Sequence, residues 1–347
     1  ILNHYGQVRN CRVDNNVAEG YQGNGAGICN SLGTVTSCTV YSNTSRSSGA
    51  GISNHKGTID KCLIYDNVTE SGGGGISNSG NILNCIVFNN ASEGNGGGIN
   101  NFAGKVMNCK VHGNSALEYG GGIYNMEGTV INSAVFDNTA NDEGGGIYMI
   151  HGESIINCTI TGNSSDQAGD GIYNQSGAVT NTIAWNNLSG DIYSHSKWSD
   201  LINYTCYQTG QNVTGDNNIT QNPLFENITG DVSTWNLHLR KNSPCIDAGT
   251  SEGAPDEDLE GYPRAIDGDS DGTVEFDMGS YEYQEYIPGD LNNDDFLTQE
   301  DENMLRAYLL GIISLDPKSA LRGDANLDGI LDICDIICIC INRSQSD

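Results

Sequence analysis

The chain has 347 residues, and its 44 acidic against 15 basic side chains leave a formal charge of −29. So negative a surface argues against nucleic acid or an anionic membrane as partner, since both carry the same sign. Forty-six glycines stand against only six prolines, which is not the composition of a proline-rich linker. No apolar run approaches the roughly 18 residues of a membrane-crossing helix.

At 37% hydrophobic and 7% aromatic residues, the chain can bury a core, but a thin one. The charge is uneven. Residues 1–190 hold 14 acids and seven bases, residues 191–288 hold 18 and four, and residues 289–347 hold 12 and four. Acid density and sequence texture change together, which places expected boundaries near 190 and 288.

Residues 1–190 repeat. The pair Gly-Ile recurs at Ile28, Ile52, Ile76, Ile99, Ile123, Ile147 and Ile172, at spacings of 24, 24, 23, 24, 24 and 25. A small residue follows in register: Cys38, Cys62, Cys85, Cys109, Ser133, Cys158 and Thr182. Next comes a constant asparagine: Asn43, Asn67, Asn90, Asn114, Asn138, Asn163 and Asn187. Ile1, Cys11 and Asn16 fit the same frame, which makes eight coils. Ile1 occupies the place of Ile28, so the chain is expected to begin inside a longer solenoid.

Within a coil the apolar period is two, as in Thr129-Val130-Ile131-Asn132-Ser133-Ala134-Val135-Phe136. Short β segments repeating at this interval predict an all-β parallel β-helix whose rungs lie about 4.8 Å apart. Equivalent side chains then form ladders. The asparagines are expected to hydrogen-bond along the axis, and the glycine clusters to supply corners. The Cys11, Cys38, Cys62, Cys85, Cys109 and Cys158 position asks for a small inward side chain. Stacked thiols are the leading reading and inter-coil disulfides the second, since a straight ladder does not surround a metal ion. Cys206 and Cys245 lie outside the ladder and are a candidate pair.

The Gly-Gly-Gly-Ile segments at 96–99, 120–123 and 144–147, with Phe88-Asn89-Asn90 and Phe136-Asp137-Asn138, resemble the repeats of polymorphic outer-membrane proteins. Other secreted right-handed β-helix proteins share them. The resemblance implies a secreted, right-handed solenoid and leaves activity open. No paired acids or histidine–acid cluster break the repeat, so catalytic residues are not identified. Tyr124, Tyr148 and Tyr173 follow successive Gly-Ile pairs and form an outward stripe, read as a sugar platform or as a self-stabilising ladder. Glu70, Glu93, Glu118, Asp142, Glu143 and Asp166 line one corner.

Beyond residue 190 the stretches Asn222–Phe225, Leu237–Arg240, Ser243–Gly249 and Asp277–Glu282 resemble the closing region of secreted bacterial β-helix proteins. That likeness implies a terminal cap. Within it, Asp267, Asp269 and Asp271 alternate before Gly272, a spacing that converges carboxylates on a hard cation such as calcium.

Residues 289–347 carry two loops 34 residues apart. The first offers Asp290, Asn292, Asp294, the Phe296 carbonyl, Thr298 and Asp301. The second offers Asp324, Asn326, Asp328, the Ile330 carbonyl, Asp332 and Asp335. Each leads into an apolar helical pattern, with Met304, Leu305, Tyr308 and Leu309 in the first and Ile333, Ile336, Ile337 and Ile341 in the second. Position 12 is Asp rather than Glu, and no helix is expected before either loop. These features resemble type I dockerins, which bind cohesin modules in a calcium-dependent way. The resemblance implies a contact surface of Gln299, Glu300, Arg306 and Ala307, or of Ile333, Cys334, Cys340 and Ile341. Cys334 and Cys338 lie one helical turn apart, which allows a metal or redox role beside simple packing.

Together these readings predict an extracellular, structural or glycan-binding solenoid held by calcium and a dockerin to a cohesin-bearing partner. The rival is a polysaccharide-degrading lyase or glycoside hydrolase.

Overall fold

The computed structural model describes residues 1–347 apart from 21–24, 152, 196–200, 270, 285–288, 293–295, 316, 326–330 and 347, with backbone only at 317, 318, 321 and 344–346. Two compact units result, Ile1–Tyr283 and Gln284–Asp347.

The first unit is a parallel β-solenoid of about eight coils. Its described strands stack into sheets of ten, nine, nine and seven, each following chain order. Register is set one coil apart throughout, for example Ile76 on Ile99 and Ile123 on Ile147. The alternation explains this: most strands of the three larger sheets turn a β-branched residue inward, as at Ile76, Ile82 and Val87. Ile52, Ile76, Ile99 and Ile123 form one fully buried column, Ile59, Ile82 and Val106 a second, and Ile64, Val87 and Val111 a third. A core three aliphatic side chains wide needs no aromatics, which accounts for the low aromatic content.

The corners are held by polar ladders, as the repeat predicts. The Asn114 amide donates to Asn138 Oδ1 (2.9 Å), Val87 O (3.0 Å) and His112 O (3.0 Å), while its own oxygen accepts from Asn90. Every buried amide in the column is thereby satisfied, so the cost of desolvation is met rung by rung. The ladder ends where Asn187 donates to Asp191 (3.0 Å), a carboxylate that accepts and passes nothing on. A second column runs Asn30, Asn54, Asn78, Asn101, Asn125 along the first sheet. All twelve cysteines are free thiols. The ladder thiols accept backbone N–H bonds from the coil before, as at Cys38 N to Cys62 Sγ (3.4 Å). Burial pushes the Cys38 thiol up to about 11 and Cys158 to about 12.

Two features differ from expectation. The sheets run past residue 190, with Ile192–Ser194 on Ile172–Asn174 and Cys206 on Ile183. The segment after them also covers the flank of the late coils rather than only their end. Outward residues of the third sheet are half-exposed at Thr39–Tyr41 but buried at Ala134–Phe136, Thr159–Thr161 and Ile183–Trp185. Phe225, Leu237, Leu239, Cys245, Ile246, Met278 and Tyr281 pack there. Small or apolar outward residues such as Ala134 and Ile183 make that floor. Arg264 bolts the two parts: its Nη1 donates to Glu282 (2.7 Å), and Nη2 donates to Asn132 Oδ1 (3.0 Å) and Gly279 O (3.0 Å). Desolvation raises Glu282 to about 7 against the pull of Arg264.

The second unit contains α1 (Gln299–Leu309), α2 (Pro317–Gly323) and α3 (Ile333–Ser346). Leu291, Leu305, Ala325, Ile336 and Ile339 form its small core. The short α2 directly precedes the second loop, against the expectation of no helix there. Its sequence opens on a proline and continues through good helix formers, which suits a single short helix.

Candidate functional site

The acidic loop of the first unit gathers three carboxylates. Asp247, Asp267 and Asp269 each bring an oxygen to within 4.8 Å of the others. The loop is shaped by its own carboxylates: Asp267 accepts from Gly272 N (3.1 Å) and Asp269 from Asp271 N (3.0 Å). Asp247 enters from a separate turn, held because its N–H donates to Asp277 (2.8 Å) while its Oδ2 accepts from Asp269 N (2.8 Å). Oδ1 of Asp247 and Oδ1 of Asp267 are both buried without a hydrogen-bond partner. Burial and the neighbouring acids raise the Asp247 carboxyl. An oxygen-only donor set with unsatisfied lone pairs fits a hard divalent cation. Asp271 turns aside to accept from Thr273 N (2.7 Å). Asp247 was not legible from the spacing around 267–271, because it lies 20 residues upstream.

In the helical unit the two loops end alike, each on a fully buried acid. Asp301 accepts from Leu291 N (2.8 Å), Thr298 N (2.9 Å) and Thr298 Oγ1 (3.0 Å), forming the capping box of α1. Asp335 accepts from Asp332 N (2.9 Å) at the start of α3. Asp290 is buried too, while Asn292, Thr298, Asp324 and Asp332 are partly covered and the Phe296 side chain is exposed. Asp294, Asn326, Asp328 and Ile330 lie outside the described residues.

The surfaces expected to meet a partner divide. Ile333, Ile337 and Ile341 are exposed at four-residue intervals along α3, with Cys334 exposed beside them. Glu300 is also exposed and Ala307 partly so. Gln299 and Arg306 are exposed too and converge on Glu302, which accepts from Gln299 Nε2 (2.7 Å), Arg306 Nε (2.9 Å) and Arg343 Nη1 (3.1 Å). Cys340 packs against the core beside them. Glu302 ties α1 to α3 and was missed in the sequence, where it is one acid among several.

Tyr124, Tyr148 and Tyr173 do stack, at 5.4 and 4.9 Å and nearly parallel, with Tyr193 continuing the column at 5.0 Å. Tyr124, Tyr148 and Tyr173 are each less than a tenth exposed, so their ring faces are occupied by one another. A second column, Tyr41–Tyr65–Phe88–His112–Phe136, stacks at 4.7–5.2 Å on the third sheet. Its constant offset of three residues from the Cys/Ser position was the signal for it.

The chain is thus a parallel β-solenoid with a flanking acidic segment and a small helical unit. No family model, curated protein or solved structure matches it. Among the described residues no helix is long and apolar enough to cross a membrane.

Proposed function

We propose that the protein is an extracellular β-solenoid with a structural or glycan-binding body, anchored through a calcium-dependent, dockerin-like helical unit to a cohesin-type partner. The observation that carries this reading is the paired architecture of the helical unit. Two acidic loops each end on a fully buried aspartate at the start of a helix, Asp301 and Asp335. Such acids repel one another unless a cation is shared among them, so calcium is the natural ligand and its binding is coupled to folding. Asp290, Asn292, Thr298 and Asp301 would hold the first ion, and Asp324, Asp332 and Asp335 the second. Asp247, Asp267 and Asp269 would hold another in the solenoid unit. The exposed Ile333–Ile337–Ile341 edge supplies an apolar strip of the kind that forms the centre of a protein interface.

Calorimetric titration of the full chain with a panel of cohesin modules tests the anchoring. Binding in calcium that disappears with chelator supports it, and no binding to any cohesin in calcium removes it. Glycan-array binding without release of reducing or unsaturated sugars supports the non-catalytic body, whereas sugar release overturns it.

A further inference from the structure

One row of the solenoid is glycine in nearly every coil: Gly33, Gly57, Gly80, Gly104, Gly128 and Gly177. The reason is steric. A Cβ at Gly104 would stand 2.3 Å from the Asn78 amide nitrogen, and one at Gly128 2.3 Å from that of Asn101. The missing side chains would point into the buried asparagine column, so the row lets successive coils close on one another at this corner.

The seventh coil breaks it. Met149 pairs with Asn125 where the other coils continue the asparagine column, and Thr129 pairs with Ser154 across a 25-residue step. Glu153 now stands where its neighbours have glycine, as its carbonyl accepts from Ala178 N just as Gly104 O accepts from Thr129 N. An open groove of about 340 Å³ runs past Gly80, Gly104 and Gly128, with Glu153 lining its late end.

Its charges are sorted. Lys56 and Lys105 line it toward the early coils, Glu127 and Glu153 toward the late ones. Among the described residues, none of these four side chains makes a hydrogen bond or ion pair, as is also true of exposed charges such as Lys61 and Glu93. Lys56 and Lys105 are two rungs apart, about 10 Å along the axis, and Glu153 lies two rungs beyond Lys105.

We infer that this groove is a binding site for an acidic oligosaccharide lying along the solenoid axis. A uronate carboxylate sits between Lys56 and Lys105, and hydroxyls of the neutral sugars that follow donate to Glu127 and Glu153. An extended sugar chain advances about one residue per rung. Two ammonium groups select a carboxylate. Two unpaired carboxylates accept sugar hydroxyls and disfavour a second uronate at the far end, so the preferred ligand carries one acid followed by neutral residues. The inference deepens the glycan-binding reading of the body and rests on it.

Titration of the full chain, in calcium, with glucuronosyl-xylotriose and with uncharged xylotetraose tests it. The acidic ligand should bind at least tenfold more tightly. Lys56→Asn with Lys105→Thr, which places an αL-tolerant residue at the turn and copies Thr129, should erase that difference. Glu127→Gln with Glu153→Gln should strengthen binding of tetragalacturonate, which the native groove repels. Equal binding of charged and neutral ligands, or an unchanged preference in the lysine variant, overturns the inference. So does failure of both ligands. If an array still shows glycans held equally by the native chain and the lysine variant, the body binds glycan elsewhere and only the groove is lost.

Discussion

The solenoid and the helical unit solve the same problem in opposite ways. In the coils, the buried polar groups are mainly uncharged, with Asp170 and Asp191 only at the last turns: Asn114 and its equivalents are enclosed and every amide passes its hydrogen bond to the next rung. Repetition makes each coil the partner of its neighbour, so stability is a sum of near-identical interfaces. Among the described residues of 284–347 the core is five buried side chains, and the buried polar groups include acids such as Asp290, Asp301 and Asp335. So small a core leaves a domain of this length marginal on its own. On the calcium-dependent reading proposed above, one unit is self-sufficient and the other depends on what binds it.

The largest expected effect within the coils comes from breaking the amide column. Asn114→Leu strands the carbonyls of Val87 and His112 and two neighbouring amides, which should cost upwards of about 4 kcal/mol. Thermal melting of the full chain reads it; a loss below about 1 kcal/mol would mean the ladder is decoration. Arg264→Met comes next. It leaves Glu282 buried without its cation and should cost about 3 kcal/mol, releasing the flanking segment before the coils melt. Uniform hydrogen exchange across 225–283 and the coils in that variant would show the bolt to be unimportant.

A smaller effect sharpens the contrast through pH. His112 is sandwiched between Phe88 and Phe136, at 5.2 and 4.7 Å, and burial, aided by Lys110, lowers its pKa. A histidine depressed in the folded state contributes stability that is present above its unfolded pKa and is lost as pH falls through it. The coils should therefore weaken slightly below about pH 6.5, and His112→Tyr, which copies Tyr65, should remove that dependence. An identical acid dependence in both proteins would place its origin elsewhere.

How much of this was legible in the sequence follows from the same contrast. A ladder writes itself into the chain at constant intervals, so Ile99, Cys109 and Asn114 announced their positions and the amide bonds between coils. The extent of the coils was less legible, because the stretch from Ile192 to Cys206 keeps the sheets while abandoning the Gly-Ile and Asn marks. Asp247 and Arg264 act across the fold with partners far away in sequence, and no local pattern points from Arg264 to Asn132. Glu153 is intermediate: the 25-residue step was visible, but its place in the glycine row needs the register. The helices after each acidic loop followed from apolar spacing, whereas α2 was overlooked because its seven residues are too few to display a period.

The central claim is that the two units are held by different forces, and one measurement addresses it directly. Circular dichroism of the full chain, followed during chelation and then calcium titration, separates the helical signal of residues 299–346 from the β signal of the coils. The helical signal should fall with chelator and return with calcium while the β signal and its melting remain. Helical signal unchanged by chelator would contradict the account.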